Sequence, residues 1–271
     1  MTATVPPVTT IVAERMRRLA EILGLRRPDS VPPAPALPVY AVGDLHGCSG
    51  LLERMLARID ADIAATAPGP TRIVFLGDYI DRGADSAGIL ARLRALEAAR
   101  PGQAVCLMGN HERMLLDFLD DATGRGARWL RHGGLQTLAS FGVRTAPGAA
   151  PTARRLAALA RDLRQALPAG TEAWLRARPL LWQSGTLCAV HAGADPRRPP
   201  AAQPAKAVLW GHPEFPRRRR RDGIWIVHGH DVVPEPVAAR GRIAVDTGAV
   251  FTGRLTAAAI RPGGTVAFLT A

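Results

Sequence analysis

The chain contains the stretch Ile73-Val74-Phe75-Leu76-Gly77-Asp78-Tyr79-Ile80-Asp81-Arg82-Gly83, in which an apolar run passes directly into charged residues set between glycines. The same arrangement recurs at residues 39–47, 104–112, 187–193 and 224–230. Short apolar runs bounded by glycine are typical of buried strands in an α/β sheet. We therefore expect a strand at each of these places, with polar residues at its end, where open α/β sheets bind ligands.

The polar residues at these strand ends form a set of metal ligands. They are Asp44, His46, Asp78, Asn110, His191 and His230. Imidazole nitrogens combined with carboxylate and amide oxygens suit Mn²⁺, Fe or Zn²⁺, whereas Mg²⁺ and Ca²⁺ favour oxygen alone. So many ligands exceed the needs of one open catalytic ion. We predict two ions about 3.5–4 Å apart, with Asp78, central in the order, as the shared ligand.

The blocks together resemble the signature of the calcineurin-like metallophosphoesterases, and within them the bacterial serine/threonine phosphoprotein phosphatases. The motifs GDxHG, GDxxDRG and GNHE, followed by HxG and GH, all occur between residues 39 and 252. The resemblance implies an α/β fold of two packed mixed β-sheets flanked by helices, with a helical insertion. It implies that one ion is held by Asp44, His46 and Asp78. It implies that the other is held by Asp78, Asn110, His191 and His230.

The resemblance also implies roles for the other motif residues. A metal-bridging hydroxide attacks phosphorus in line, and Arg82 clamps the phosphoryl oxygens, with Asn110 as a further substrate contact. His111 is expected to be the general acid that protonates the leaving alkoxide. Asp81 is expected to orient the His111 imidazole.

One position departs from the pattern of the family resembled. Related bacterial phosphatases carry a Leu-Trp-x-Arg stretch whose arginine contacts the substrate phosphate, but this chain has Leu209-Trp210-Gly211-His212. A neutral imidazole binds an oxyanion less strongly than a guanidinium, although an imidazolium partly substitutes. We expect His212 to be a substrate contact. The arginine run at 217–221 either adds positive charge there or forms a solvated loop.

The predicted function is that of a dinuclear metal-dependent phosphomonoesterase, acting as a serine/threonine protein phosphatase with two Mn²⁺ ions, or Fe or Zn²⁺, as cofactors. A dinucleoside tetraphosphatase or another nucleotide phosphohydrolase is the alternative, because an arginine-rich site also suits a polyphosphate chain. The substrate is accordingly a phosphoprotein or a phosphorylated small molecule. A regulatory scaffold without catalysis would lack ligands or the general acid, and this sequence has them all.

Composition is consistent with one enzyme domain. The chain has 271 residues, 47% of them hydrophobic, which is enough to bury a sizeable core. Its net charge of +12 comes almost wholly from arginine, and only 5% of residues are aromatic. We therefore favour solvated helix faces over a nucleic-acid surface. Three cysteines without a CxxC pair, and no long apolar run, predict a cytoplasmic protein with no membrane segment.

The sequence divides into an N-terminal extension at 1–38 and a catalytic domain at 39–271. The extension combines an amphipathic helix at 11–25 with a proline-rich connector at 28–38. A helical insertion at about 113–179 separates the third and fourth polar blocks.

Apolar residues at helical spacing predict crossover helices at 51–64 and 86–99, each joining two parallel strands. Near the C-terminus, short strands at 242–245, 256–260 and 265–269 are expected to complete a second sheet. Asp246 ends the first of these strands, and we expect it to orient a loop that carries a ligand.

Overall fold

The computed structural model of the protein describes residues 31–66, 69–145 and 152–271. The helix predicted at 11–25 and the first residues of the proline-rich connector lie outside the described residues. Pro32–Ala271 forms one unit. Within it, the backbone N–H groups of Ala34 and Ala36 donate to the side chains of Thr186 and Ser184.

The strands of the described chain are β1 (Val39–Val42), β2 (Arg72–Phe75), β3 (Ala104–Cys106), β4 (Leu181–Ser184), β5 (Leu187–Val190), β6 (Trp225–His228), β7 (Val237–Ala239), β8 (Arg242–Ala244), β9 (Thr256–Ile260) and β10 (Val266–Thr270). The α-helices are α1 (Ser49–Thr66), α2 (Ser86–Ala99), α3 (Asn110–Asp120), α4 (Ala122–Trp129), α5 (Leu135–Ser140), α6 (Ala153–Ala166), α7 (Thr171–Arg176), α8 (Ala205–Trp210) and α9 (Ala249–Thr252).

These strands form two mixed sheets. The first has the order β10-β9-β1-β2-β3 and the second the order β4-β5-β6-β8-β7. The strands β1, β2 and β3 are parallel and are joined by α1 and α2, as the crossover prediction required. In the second sheet β5, β6 and β8 are parallel. The expected fold of two packed sheets with flanking helices is confirmed.

Alternation along β1 shows how the layers pack. Val39 and Ala41 belong to an apolar cluster that also contains Leu187 and Val227 of the second sheet, so this face lies between the sheets. The intervening Tyr40 and Val42 belong to the cluster formed with the helices. Successive residues of a strand point to opposite faces. With both faces covered, all of β1 is buried, which explains its unbroken apolar sequence.

One prediction of sheet membership is wrong. We expected the last two strands to complete the second sheet, but β9 pairs antiparallel with β1 and β10 pairs with β9, both in the first sheet. Only β8 lies in the second sheet, as expected. A local pattern identifies a strand but not its partner, and β9 pairs with residues more than 200 positions earlier in the chain.

The described residues between β3 and β4 are mainly helical, in line with the predicted helical insertion. Within these helices Trp129 is fully buried and stacks on Phe118 at a centroid distance of 4.8 Å.

In the described part of the chain, no helix is long and apolar enough to cross a bilayer.

Candidate active site

The polar blocks of both sheets meet at one edge of the molecule. Asn110 begins α3 four positions after the end of β3, and His191 directly follows β5. The His191 ring Nδ1 lies 3.0 Å from the carbonyl oxygen of Leu76, at the end of β2. In the second sheet, the backbone N–H of Gly229 donates to the carbonyl of His191 at 2.8 Å. The carboxyl ends of the parallel strands therefore carry the candidate site, as the strand-end pattern indicated.

Asp78 lies at the centre of this site and is almost completely buried. Its Oδ2 is 3.6 Å from His46 Nε2 and 3.8 Å from His111 Nε2. Its Oδ1 is 3.3 Å from His191 Nε2. Burial alone would raise the pKa of Asp78, but the imidazoles of His191, His111 and His46 outweigh burial and lower it. Asp78 is therefore an ionised carboxylate with histidines on both sides.

Two groups of side chains share Asp78, and each could hold a metal ion. One consists of His46, Asp78 and His111, and the other of Asp78, His191 and His230. Within each group the potential ligand atoms lie within 4.8 Å of one another. Asn110 joins the second group, because its Oδ1 is 2.8 Å from His191 Nε2 and 2.9 Å from His230 Nδ1.

The protonation of His191 tests whether this arrangement fits a cation. Burial lowers the pKa of His191 to about 4, so the ring is neutral near pH 7. Its Nδ1 faces the Leu76 carbonyl, which can only accept, so Nδ1 carries the hydrogen and Nε2 keeps its lone pair. That lone pair converges with Asn110 Oδ1 and Asp78 Oδ1, which are also acceptors. A cation satisfies such a set of acceptors.

His46 repeats this arrangement on the other side of Asp78. Burial lowers the pKa of His46 to about 4, and its Nδ1 lies 2.8 Å from the Ile80 carbonyl oxygen. The neutral ring therefore keeps the lone pair of Nε2, which faces Asp78 and lies 2.9 Å from a guanidinium nitrogen of Arg82. The donor set on both sides fits the divalent cations expected from imidazole and carboxylate ligands.

Asp44 lies beside the second group. Its carboxylate accepts from the backbone N–H of His230 at 3.2 Å and shares a hydrogen bond with Asp246. Burial, followed by the negative charges of Asp246 and Asp78, raises the pKa of Asp44 well above its usual value. A cation near Asp44 would relieve this repulsion. Asp246 contacts Asp44 and accepts from the backbone N–H of Gly248, and its orienting role stays a prediction.

Backbone strain is concentrated in the same blocks. Positive φ angles in non-glycine residues are uncommon because the side chain clashes with the backbone. Five of the six such residues in the described chain lie in the polar blocks: His46 (39°), Asp78 (51°), Asp81 (72°), Arg82 (67°) and His230 (67°). Strain of this kind persists where the surrounding structure enforces it, typically at functional sites.

Two glycines allow the blocks to approach closely. A β-carbon on Gly109 would overlap the backbone nitrogen of Asp78, and one on Gly229 would overlap Oδ1 of Asp44. The glycine before Asn110 and the glycine before His230 are therefore required by the close packing of the candidate ligands.

His111 and Asp81 form a buried pair. His111 Nδ1 lies 2.6 Å from Asp81 Oδ2. Burial lowers the pKa of His111, but the Asp78 charge and the Asp81 hydrogen bond and charge outweigh it and raise the pKa above the usual value. The Asp81 carboxylate in turn accepts from Trp129 Nε1 at 3.0 Å and from Thr137 Oγ1 at 2.6 Å. His111 is thus held in one orientation and favours its protonated form.

Sequence reasoning did not assign roles to Trp129 and Thr137, which lie in the helical insertion. No local motif marks them. It also gave no role to Glu112, although this residue is part of the GNHE motif. The Glu112 carboxylate accepts from the backbone N–H groups of Gly109, Asp78, Tyr79 and Ile80, at 3.0, 2.9, 2.8 and 3.3 Å. It therefore fixes the loop after β2 against the loop after β3.

Arg82 lies between His46 and His111, the two histidines of the first group. Its guanidinium nitrogens are 2.9 Å from His46 Nε2 and 3.1 Å from His111 Nε2. This position directs a fork of N–H donors into the site.

The structure does not bring His212 to this cluster in any contact of the described residues. His212 lies on the loop after α8, where its Nδ1 accepts from the backbone N–H of Glu214 at 3.3 Å. In the arginine run, Arg220 is buried and donates to the carbonyl oxygens of Asp195 and Arg198, at 3.0 and 2.8 Å. Arg220 therefore holds the arginine run against the loop that contains Asp195 and Arg198. The substrate role of His212 stays a prediction.

The fold and these paired acidic and histidine groups define a metallophosphoesterase. Residues 37–237 match the model of the calcineurin-like phosphoesterase family. The chain belongs to that family.

The relatives include bis(5'-nucleosyl)-tetraphosphatases and a serine/threonine-protein phosphatase. A symmetrical bis(5'-nucleosyl)-tetraphosphatase of Methylococcus capsulatus is 33% identical over 158 residues, covering 58% of this chain and 44% of the relative. Serine/threonine-protein phosphatase 1 of Salmonella typhimurium is 38% identical over 96 residues, covering 35% and 38%. The matches thus span less than half of either relative. A symmetrical bis(5'-nucleosyl)-tetraphosphatase of Janthinobacterium is 30% identical over 267 residues, covering 80% of this chain and 91% of the relative.

Solved structures share the fold at lower identity. A candidate diadenosine tetraphosphatase superimposes with a TM-score of 0.58 at 23% identity, covering 89% of this chain and 98% of the other. A Saccharomyces cerevisiae protein serine/threonine phosphatase superimposes with a TM-score of 0.55 at 14% identity, covering 87% and 80%.

Proposed function

We propose that this protein hydrolyses dinucleoside polyphosphates, with the Asp78-centred site as its catalytic centre. The assignment of hydrolysis rests on the position of Asp78, which lies between His46 in the first group and His191 in the second. Asn110 adds a further oxygen to the second group. The substrate class is supported by the Janthinobacterium relative, whose similarity extends over most of both chains.

In this proposal His46 and Asp78 would hold one divalent cation together with Asp44, whose carboxylate also accepts from the backbone N–H of His230 in the second group. Asp78, Asn110, His191 and His230 hold the other. When bound, two such cations polarise phosphoryl oxygens and acidify water near neutral pH. The mixed nitrogen and oxygen donors favour Mn²⁺, with Fe or Zn²⁺ as alternatives.

Arg82 binds the phosphoryl group. Its guanidinium already lies between His46 and His111, with its nitrogens 2.9 and 3.1 Å from their Nε2 atoms. Guanidinium matches the geometry of phosphate oxygens and stabilises the charge that develops on them in the transition state. Asn110, next to the catalytic histidine, is a further contact for these oxygens.

His111 acts as general acid rather than as a ligand. Its Nδ1–H is directed to Asp81, and its Nε2 faces Arg82 and Asp78 at the site. The raised pKa of His111 keeps a proton available for the leaving oxygen. Asp81 orients the ring and stabilises the imidazolium, and Trp129 and Thr137 hold Asp81 in place.

Phosphoserine or phosphothreonine in proteins is the second candidate substrate, because the Salmonella relative, a protein phosphatase, is 38% identical over its matched segment. The two candidates differ in the leaving group. A nucleoside diphosphate leaves as a stabilised anion, whereas serine leaves as an alkoxide that needs a proton.

The experiment that tests the proposal compares both substrates on one Mn²⁺-loaded preparation. Diadenosine tetraphosphate and a phosphothreonine peptide are incubated separately, and nucleotides and phosphate are quantified by chromatography. Symmetrical cleavage gives two molecules of ADP, which is the expected result. Hydrolysis of the peptide without cleavage of the dinucleotide would overturn the assignment of the substrate. Asp78→Asn serves as the inactive control, and Val237→Ala, an exposed change on β7, as the matched surface control.

A further inference from the structure

Phe251 is the most exposed large apolar side chain of the described residues. It lies on α9 and is 71% exposed. Burying an aromatic ring is strongly favourable, so an exposed ring forgoes that stabilisation unless a ligand covers it. Val232, two residues after the candidate ligand His230, is 53% exposed. Its side chain lies against the turn at Gly248 that begins α9.

The exposed ring adjoins the catalytic site. The Cζ atom of Arg82 lies 5.7 Å from the centroid of the Phe251 ring, within the range of a cation–π contact. The same guanidinium contacts His46 and His111. A single side chain therefore separates the ring from the groups that act on phosphorus.

The ring is carried on a fixed turn. Gly248 and Gly253, with φ angles of 71° and 70°, begin and end α9 in the left-handed conformation. The backbone N–H of Gly248 donates to Asp246 Oδ1 at 2.8 Å, and Asp246 is hydrogen-bonded to Asp44. The position of Phe251 is thus tied to a candidate metal ligand, which is the arrangement that a specificity contact needs.

We propose that Phe251 stacks on the nucleobase of the substrate and so makes the site specific for nucleotides. This inference rests on the proposed hydrolysis of nucleoside polyphosphates. In a nucleotide, only the ribose separates the base from the phosphate chain, so phosphates held at Arg82 bring the base to the neighbouring ring. One aromatic face suits one base, and stacking accepts any base because each has a π-face. Val232 extends the apolar surface beside the ring.

Binding measurements separate this role from a general effect on the site. Manganese-loaded protein is titrated calorimetrically with ADP and with pyrophosphate, a diphosphate that lacks the adenosine. We expect Phe251→Ala to weaken ADP binding by roughly 5- to 150-fold more than it weakens pyrophosphate binding, which is the range for stacking one base. Phe251→Trp should retain ADP binding, and Val237→Ala should change neither affinity.

Two results would overturn the inference. Equal weakening of both ligands by Phe251→Ala would mean that the ring only positions Arg82, and an unchanged ADP affinity would mean that the base does not contact it. Kinetics with diadenosine tetraphosphate separate this failure from failure of the proposed function. If wild type and Phe251→Ala cleave it with equal KM, the function stands and the stacking role fails. If wild type binds ADP through Phe251 but does not cleave the dinucleotide, the stacking role stands and the function fails.

Discussion

Replacing His111 with asparagine should abolish acid catalysis while leaving the metal site occupied. His111 Nδ1 lies 2.6 Å from Asp81 Oδ2, and the pKa of His111 is raised. Its Nε2 nevertheless lies 3.8 Å from Asp78 Oδ2, within the first metal-binding group. The substitution therefore distinguishes a proton donor from a ligand.

The expected magnitude follows from the role. A positioned general acid contributes roughly 10²- to 10⁴-fold in rate, which corresponds to about 3 to 5 kcal/mol of transition-state stabilisation. The loss should approach the upper end for an alkyl phosphate, whose leaving alkoxide needs the proton. It should be smaller for diadenosine tetraphosphate, whose leaving group is a stabilised anion. KM should change little, because His111 acts in the transition state.

The pH dependence provides a second signature of the same change. Because the pKa of His111 is raised, the active protonated form is present at low pH and is lost as the pH rises through that value. Wild type should therefore lose kcat on the alkaline side, and His111→Asn should lack this limb. The assay is kcat against pH, combined with metal analysis by atomic emission. Loss of metal from His111→Asn, or a retained alkaline limb, would refute the assignment.

Other consequences follow from the same geometry. Asp78→Asn should lose both ions and all activity, because Asp78 contacts both groups; retention of two tightly held ions would contradict the sharing of this carboxylate. Removing metal with a chelator should abolish activity and added Mn²⁺ should restore it, measured by dinucleotide cleavage; full activity after complete removal would contradict metal dependence. Thr137→Val removes a buried donor to Asp81 and should lower kcat by roughly 10-fold, about the worth of one hydrogen bond to a charged group, while the urea midpoint separates this effect from unfolding.

Strand positions near the site could be predicted because each depends on local sequence. The apolar runs before Asp44, Asp78 and Asn110 become β1, β2 and β3, since a strand buried on both faces has a continuous apolar sequence. The helix α2 was predicted at residues 86–99, where it is observed, because its buried face is encoded in its own periodicity. The convergence of candidate ligands follows from the shared edge of parallel strands.

Features that depend on distant contacts could not be predicted. The pairing of β9 with β1 joins segments more than 200 residues apart in the sequence. Trp129 and Thr137 reach Asp81 from 48 and 56 residues away, and no motif in the insertion marks them. The exposure of Phe251 depends on the turn that carries it, whereas an isolated phenylalanine in a sequence usually indicates core.

The most direct test of the central claim is anomalous diffraction from crystals grown with manganese. We predict two manganese peaks about 3.5–4 Å apart, with the Asp78 carboxylate between them, His46 on one side and His191 and His230 on the other. A single peak, or two peaks that do not share Asp78, would contradict the proposed site.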